Sequence, residues 1–101
     1  MDKSVKISML LEIYGKMLTE KQADVVDLYY NQNLSLSEIA GELNITRQGV
    51  RKSLIEAEKN LFDFEEKLGL LDKQIQRKEK IDEILKLVKD ERLISLIEKL
   101  N

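Results

Sequence analysis

The side chains best suited to chemistry are four long polar groups that fall within six positions of the sequence: Arg47, Gln48, Arg51 and Lys52. An arginine can bind the edge of guanine with two hydrogen bonds, and a glutamine can bind adenine in the same way. Residues three and four positions apart share one face of a helix. A helix that begins near Arg47 would therefore carry, on its first two turns, a polar face suited to a DNA groove.

The residues around this cluster, SLSEIAGELNITRQGVRKSL (residues 35–54), have the outline of a helix-turn-helix. Ala40 is a small residue at the point where the second helix must cross the first. Asn44 falls between the helices, and asparagine tolerates the left-handed conformation of a sharp turn. Thr46 is placed to cap the second helix. The sequence therefore predicts two short helices held at an angle, with the polar cluster on the second.

Hydroxyl side chains stand at the predicted helix starts. Ser35 is followed three residues later by Glu38, and Thr19 by Gln22, which is the pattern of a capping box. A hydroxyl at a helix start can also hydrogen-bond a DNA phosphate. The candidate phosphate contacts are the hydroxyls at the two helix starts of the motif: Ser35, Ser37 and Thr46.

The charge distribution argues both for and against a nucleic-acid partner. The chain has a formal net charge of −2, whereas phosphate binding favours a basic surface. Residues 1–45 have a net charge of −3, residues 46–67 of zero and residues 68–101 of +1. The basic charge is therefore local to the start of one helix, and a DNA contact would depend on that small region.

The composition limits the classes of protein that this chain can belong to. Its 101 residues suit one domain, or one domain and an arm, and contain no cysteine, histidine or proline. The missing residue types remove disulfides, thiol chemistry and the usual zinc ligands. No apolar run approaches the ~20 residues of a membrane helix, and no export signal is recognisable. We expect a cytoplasmic, non-enzymatic protein with no cofactor, no metal and no membrane insertion.

The spacing of apolar residues predicts an all-α fold without strands. Helices are expected over residues 5–18, from Thr19 to residues 31–33, from Ser35 to the turn at Asn44, from Thr46 to Gly69, over residues 71–89, and after Asp90. Residues 1–69 would form a helix-turn-helix domain with a long fourth helix. Residues 70–101 would form a C-terminal helical arm.

Apolar residues repeat along the predicted fourth helix with the spacing of a heptad seam: Val50, Leu54, Ala57, Leu61, Phe64, Leu68 and Leu71. Such a seam is either a coiled-coil dimer interface or a face buried within one chain, and three heptads do not decide between them. The long arm favours self-association, so a homodimer is predicted. Tyr14, Tyr29 and Tyr30 fall on apolar stripes, which favours core packing over stacking on bases. For the mixed charges of residues 73–80, a solvated face is favoured over an RNA contact.

The segment LTEKQADVVDLYYNQNLSLSEIAGELNITRQGVRKSLIEAEKNL is similar to region 4 of bacterial sigma factors, whose helix-turn-helix reads the promoter −35 element. From the helix ending in YGKMLTEKQ through EKLGLL, the chain resembles the YlxM family of small bacterial proteins, over at least residues 7–71. The sigma pattern would put groove contacts on the four polar side chains. Ser53 departs from that pattern, which usually has a larger apolar residue there, and indicates different packing beyond Val50.

The family resemblance implies a DNA-binding regulatory protein. YlxM proteins are encoded beside the genes for the signal recognition particle protein and its receptor, which implies a link to that targeting pathway. The alternative function is an accessory protein that contacts the signal recognition particle protein or its RNA instead of DNA. The acidic balance of residues 1–45 and the unassigned arm motivate this alternative.

Overall fold

The computed structural model describes residues 1–101 and contains six α-helices and no strand. The helices are α1 Lys3–Tyr14, α2 Glu20–Val26, α3 Leu36–Leu43, α4 Arg47–Leu68, α5 Leu70–Leu87 and α6 Glu91–Glu98. The chain divides into two compact units, Met1–Gly69 and Leu70–Asn101. The all-α fold with a helix-turn-helix is therefore confirmed.

The N-terminal unit is organised around α4, which packs against α1, α2 and α3. One face of α4 is almost fully buried: Val50, Ser53, Leu54, Ala57 and Leu61. The other helices and the extended Leu18 contribute aliphatic residues and one tyrosine to the same core: Ile7, Leu10, Tyr14, Leu18, Val25, Val26 and Ile39. The first part of the predicted seam is thus covered by helices of its own chain.

The first helix is shorter than predicted. It ends at Tyr14 and is followed by a 3₁₀ turn over Gly15–Met17 and an extended Leu18. The chain must leave the helix here because Thr19, the cap of α2, needs an extended backbone. The tighter 3₁₀ turn changes the side-chain register, so Met17 is exposed, although it would fall on the apolar face of the helix predicted over residues 5–18.

The second helix widens into a π-helical turn over Asp27–Asn31. The Asp27 carboxylate accepts hydrogen bonds from the side-chain amides of Asn31 and Gln32, at 2.8 and 2.9 Å. A π turn holds more residues than an α turn and rotates the following side chains. The predicted buried stripe is therefore wrong at Tyr29, which is exposed, and Tyr30 is only half-buried.

Two tyrosines use their hydroxyls as polar contacts with α4. Tyr14 is buried, lies 5.8 Å from the Phe64 ring centroid, and donates a 2.7 Å hydrogen bond to Glu65 Oε1. Tyr30 donates to Glu58, whose carboxylate also lies 3.6 Å from Lys3 Nζ. Burial and the Glu58 hydrogen bond raise the pKa of Tyr30 above its ordinary value. Tyr14 and Tyr30 therefore fasten α4 to the N-terminal helices.

The C-terminal unit is a pair of packed helices, α5 and α6. Asp90 caps α6 as predicted, because its carboxylate accepts hydrogen bonds from the amides of Arg92 and Leu93. Ile81 is buried, but three other aliphatic residues that fall on the apolar faces of the helices predicted over residues 71–89 and after Asp90 are exposed: Ile84, Leu93 and Leu100. Two helices of this length cannot enclose all their aliphatic side chains. None of the chain's helices is both long enough and apolar enough to cross a membrane.

A matched pair of leucines on α4 tests the burial of the seam. Leu61→Ala should lower the free energy of unfolding by about 2–5 kcal/mol, because the side chain is 0% exposed and its loss leaves a cavity. Leu68→Ala, one heptad later and 47% exposed, should cost less than about 1 kcal/mol. Urea unfolding followed by circular dichroism measures both, and equal losses would contradict this description of the core.

Candidate nucleic-acid interface

The helix-turn-helix begins with a complete capping box at the start of α3. Ser35 Oγ accepts a hydrogen bond from the Glu38 amide at 3.1 Å, and the Ser35 amide donates to Glu38 Oε1 at 2.9 Å. The bond from the Ser35 amide, with a smaller contribution from the Ser35 side chain, holds the pKa of Glu38 below its usual value, because it stabilises the carboxylate. The Ser35 amide is therefore already satisfied and has a carboxylate beside it. Ser37, which is exposed, is the better placed hydroxyl for a phosphate contact.

The turn between α3 and α4 depends on Asn44, whose backbone is left-handed with φ 56° and ψ 45°. The amides of Asn44 and Ile45 both bond to the carbonyl of Ala40, which ends α3. Thr46 then begins α4, since its Oγ1 accepts a 3.0 Å hydrogen bond from the Gly49 amide. The predicted left-handed turn and threonine cap are both present.

The first turns of α4 are held in place by burial. Val50 is fully buried, and Leu54 nearly so. Ser53, the departure from the sigma pattern, is also buried and lines a shallow depression with Thr19 and Gln22 at the start of α2. The small serine is accommodated where the start of α2 lies against α4. The orientation of the polar face is therefore set by packing on α2 and α3.

The solvent face of α4 displays all four side chains of the predicted cluster. On a helix with 3.6 residues per turn they span an arc of roughly 140°, opposite the buried face. All four are exposed, and none forms a salt bridge: Arg47, Gln48, Arg51 and Lys52. The first turn of α4 also contains no acidic residue, so the positive end of its dipole adds to the basic charge.

The structure adds two residues that the sequence reasoning missed. Gln48, Arg51 and Lys52 line one shallow depression together with Ile55 and Glu56. Ile55 is 54% exposed although it is aliphatic, and apolar side chains contact the methyl group of thymine in DNA complexes. Its four-residue spacing from Arg51, off the buried seam, is the pattern that could have revealed it. Arg47 does not line this depression.

Comparison with known proteins agrees with the motif. A family model described as "Putative helix-turn-helix protein, YlxM / p13 like", UPF0122, matches residues 1–100. A UPF0122 protein of Acetivibrio thermocellus is 46% identical over 88% of this chain and 76% of its own length. One from Desulforamulus reducens is 45% identical over 82% of this chain and 71% of its own length. One from Lactococcus lactis is 37% identical over 98% of this chain and 90% of its own length. The similarity thus extends over nearly the whole chain.

Substitutions of Asn44 test whether the left-handed turn positions this interface. Asn44→Ala should destabilise the protein by about 1–2 kcal/mol, because a Cβ without a compensating polar group is strained at positive φ. Asn44→Gly should be better tolerated than Asn44→Ala, since glycine adopts positive φ freely. Thermal unfolding of the two variants measures the difference. Equal stability of the alanine and glycine variants would show that the turn is not strained.

Proposed function

The chain belongs to the UPF0122 family, the YlxM / p13-like helix-turn-helix proteins, and we propose that it is a non-enzymatic DNA-binding regulatory protein acting in the cytoplasm. One observation carries the proposal. The first two turns of α4 are anchored by buried residues on one side and present four exposed, unpaired polar side chains on the other. A face of this kind suits the major groove, whose width of about 12 Å admits one helix.

In the proposed complex, the start of α4 enters the major groove. Arg47 and Arg51 bind guanine edges or phosphates, and Gln48 binds adenine. Lys52 approaches the phosphate backbone, while Ile55 meets a thymine methyl group. Ser37 and Thr46, with a smaller part for Ser35, hydrogen-bond the backbone and set the orientation of the helix on the duplex.

The negative charge of residues 1–45 limits the strength expected for DNA binding. With net charge −3 over that segment, the start of α4 is the part of the N-terminal unit that attracts the duplex. At most three phosphates would be neutralised, by Arg47, Arg51 and Lys52, so the logarithm of affinity should fall with the logarithm of salt with a slope of about −2 to −3. Binding to DNA should therefore be observable at low salt. Binding to a duplex that lacks the preferred base sequence should be weak.

A double alanine variant tests the groove contacts. Arg47→Ala with Arg51→Ala should weaken binding to a DNA site selected from random sequences by about 1–3 kcal/mol for each lost base contact. Fluorescence anisotropy at low salt measures the loss. The matched control, Lys16→Ala with Lys67→Ala, removes the same charge from exposed positions far from the start of α4 in sequence. Absence of binding, or equal losses in both variants, would contradict DNA recognition by α4.

The homodimer is a separate part of the proposal. A dimer would place two recognition helices on successive turns of the duplex. The seam residues from Val50 to Leu61 are buried in the core, so they cannot form the dimer interface without unfolding it. Leu68 is exposed and is the seam residue that remains available for a dimer interface. Light scattering at micromolar concentration should give the mass of two chains. The mass of one chain would contradict dimerisation and leave the groove contacts untouched.

The second candidate function is an accessory role in the signal recognition particle pathway, through contact with the particle's protein or RNA. The observation that favours it is the C-terminal unit, Leu70–Asn101, which contributes nothing to the proposed groove contact and exposes aliphatic side chains. Pull-down with the full chain against the purified particle protein and RNA distinguishes the two. Retention of either component, together with no binding to selected DNA, would favour this second function.

A further inference from the structure

Helix α5 has one face that carries only basic charge. Lys73, Arg77 and Lys80 are four and three residues apart, so they lie one above another on the helix. All three are exposed, and none forms a salt bridge. On a 3.6-residue helix, the acidic residues of α5 fall on other sides: Asp72, Glu79, Asp82 and Glu83. The face therefore presents an uncompensated positive stripe over two helical turns.

This stripe forms one rim of a groove within the C-terminal unit. Lys73, Arg77 and Lys80 line a single depression together with Ile81 and Leu100. Ile81 is buried and forms the base, while Leu100 is about half exposed and forms the opposite side. Gln76, also in the lining, is held by a 2.8 Å hydrogen bond to Asp72. The groove thus combines a basic rim with an aliphatic base.

The aliphatic surface continues along both helices beyond the basic rim. Ile84 and Leu87 follow Lys80 at spacings of four and three, so they extend the same face of α5. On α6, Leu93 and Leu96 are three residues apart and share one face by the same rule, and Leu100 lies in the turn just after this helix. All of these leucines and the isoleucine are at least 45% exposed. Single exposed leucines need no explanation, but several that share the same helix faces indicate an interaction surface.

The charge and composition of the groove restrict what can occupy it. A second copy using the same surface would place basic rim on basic rim, or basic rim on aliphatic surface, and neither arrangement is complementary. A nucleic-acid strand would match the rim but not the aliphatic base, and residues 70–101 contain no aromatic side chain on which a base could stack. An amphipathic helix with acidic residues at one end and aliphatic residues at the other satisfies both parts.

We propose that the groove between α5 and the turn after α6 is a docking site for an acidic amphipathic helix of another protein. Its carboxylates would meet the three basic side chains, and its aliphatic residues would cover Ile84, Leu87 and the exposed leucines of α6. This is recognition of a helix in a groove, with anchors on one face of the ligand. The proposal does not depend on DNA binding, because the groove lies entirely within the C-terminal unit.

A synthetic peptide tests the site directly. A fluorescent helical peptide of about 15 residues spans the groove, with glutamates spaced to match the three basic residues and leucines beyond them. It should bind the full chain at low salt. Lys73→Ala with Arg77→Ala should weaken binding by about three- to thirtyfold, the loss expected for two exposed ion pairs. The control, Lys78→Ala with Lys86→Ala, has the same net charge but changes other faces of α5, and should stay within about twofold of the unchanged protein.

Two further experiments test the aliphatic base of the groove and the alternative occupants, which are nucleic acid and a second copy of the chain. A scrambled peptide of the same composition should bind at least about tenfold more weakly, because its leucines no longer share one face. Leu96 is exposed, so Leu96→Ser should leave the fold intact. It should weaken binding of the patterned peptide but not of the scrambled peptide. The proposal would be overturned if the peptide does not bind, or if both double variants lose the same affinity. It would also be overturned if RNA, DNA or a second copy of the chain displaces the peptide from the groove. Circular dichroism of each variant verifies folding.

Discussion

The N-terminal unit depends on the burial of one face of α4. Val50, Leu54 and Leu61 are covered by α1, α2 and α3, and each fully buried aliphatic side chain contributes roughly 1.5–3 kcal/mol. Because that face is fixed, the opposite face of the same helix must point to solvent. The polar side chains at the start of α4 therefore need no separate support. Their orientation follows from the packing that stabilises the unit.

Electrostatics places a second constraint on the molecule. Basic charge is concentrated at the start of α4 and along one face of α5, on a chain whose net charge is −2. Surfaces of this kind attract an anionic partner over about one Debye length, or about 10 Å at 0.1 M salt, while the acidic remainder repels it elsewhere. The distribution thus favours contact at two small places over adhesion along the whole surface. It also makes either contact sensitive to ionic strength.

Features that depend on neighbouring residues were predictable from sequence. Both capping boxes, the left-handed Asn44 and the αL residue Gly69 arise from local backbone chemistry, and the structure contains each. Features that depend on contacts between distant parts of the chain were not predictable from sequence. Periodicity identified the apolar face of α4 but not that α1 to α3 cover it. The π turn over Asp27–Asn31 follows no pattern that a helix-period argument detects, and it moved Tyr29 to the surface.

The same limit applied to the candidate site. Its four polar side chains were found by type and spacing, whereas Ile55 was overlooked because an aliphatic residue is expected in the core and not on a polar face. DNA recognition by α4 is tested most directly by a nuclear magnetic resonance titration of the isotope-labelled chain with its selected DNA duplex. Recognition of DNA by α4 predicts amide shift changes confined to the start of α3 and to α4 from its first residue to Ile55. Changes confined to residues 70–101, or no changes at low salt, would contradict it.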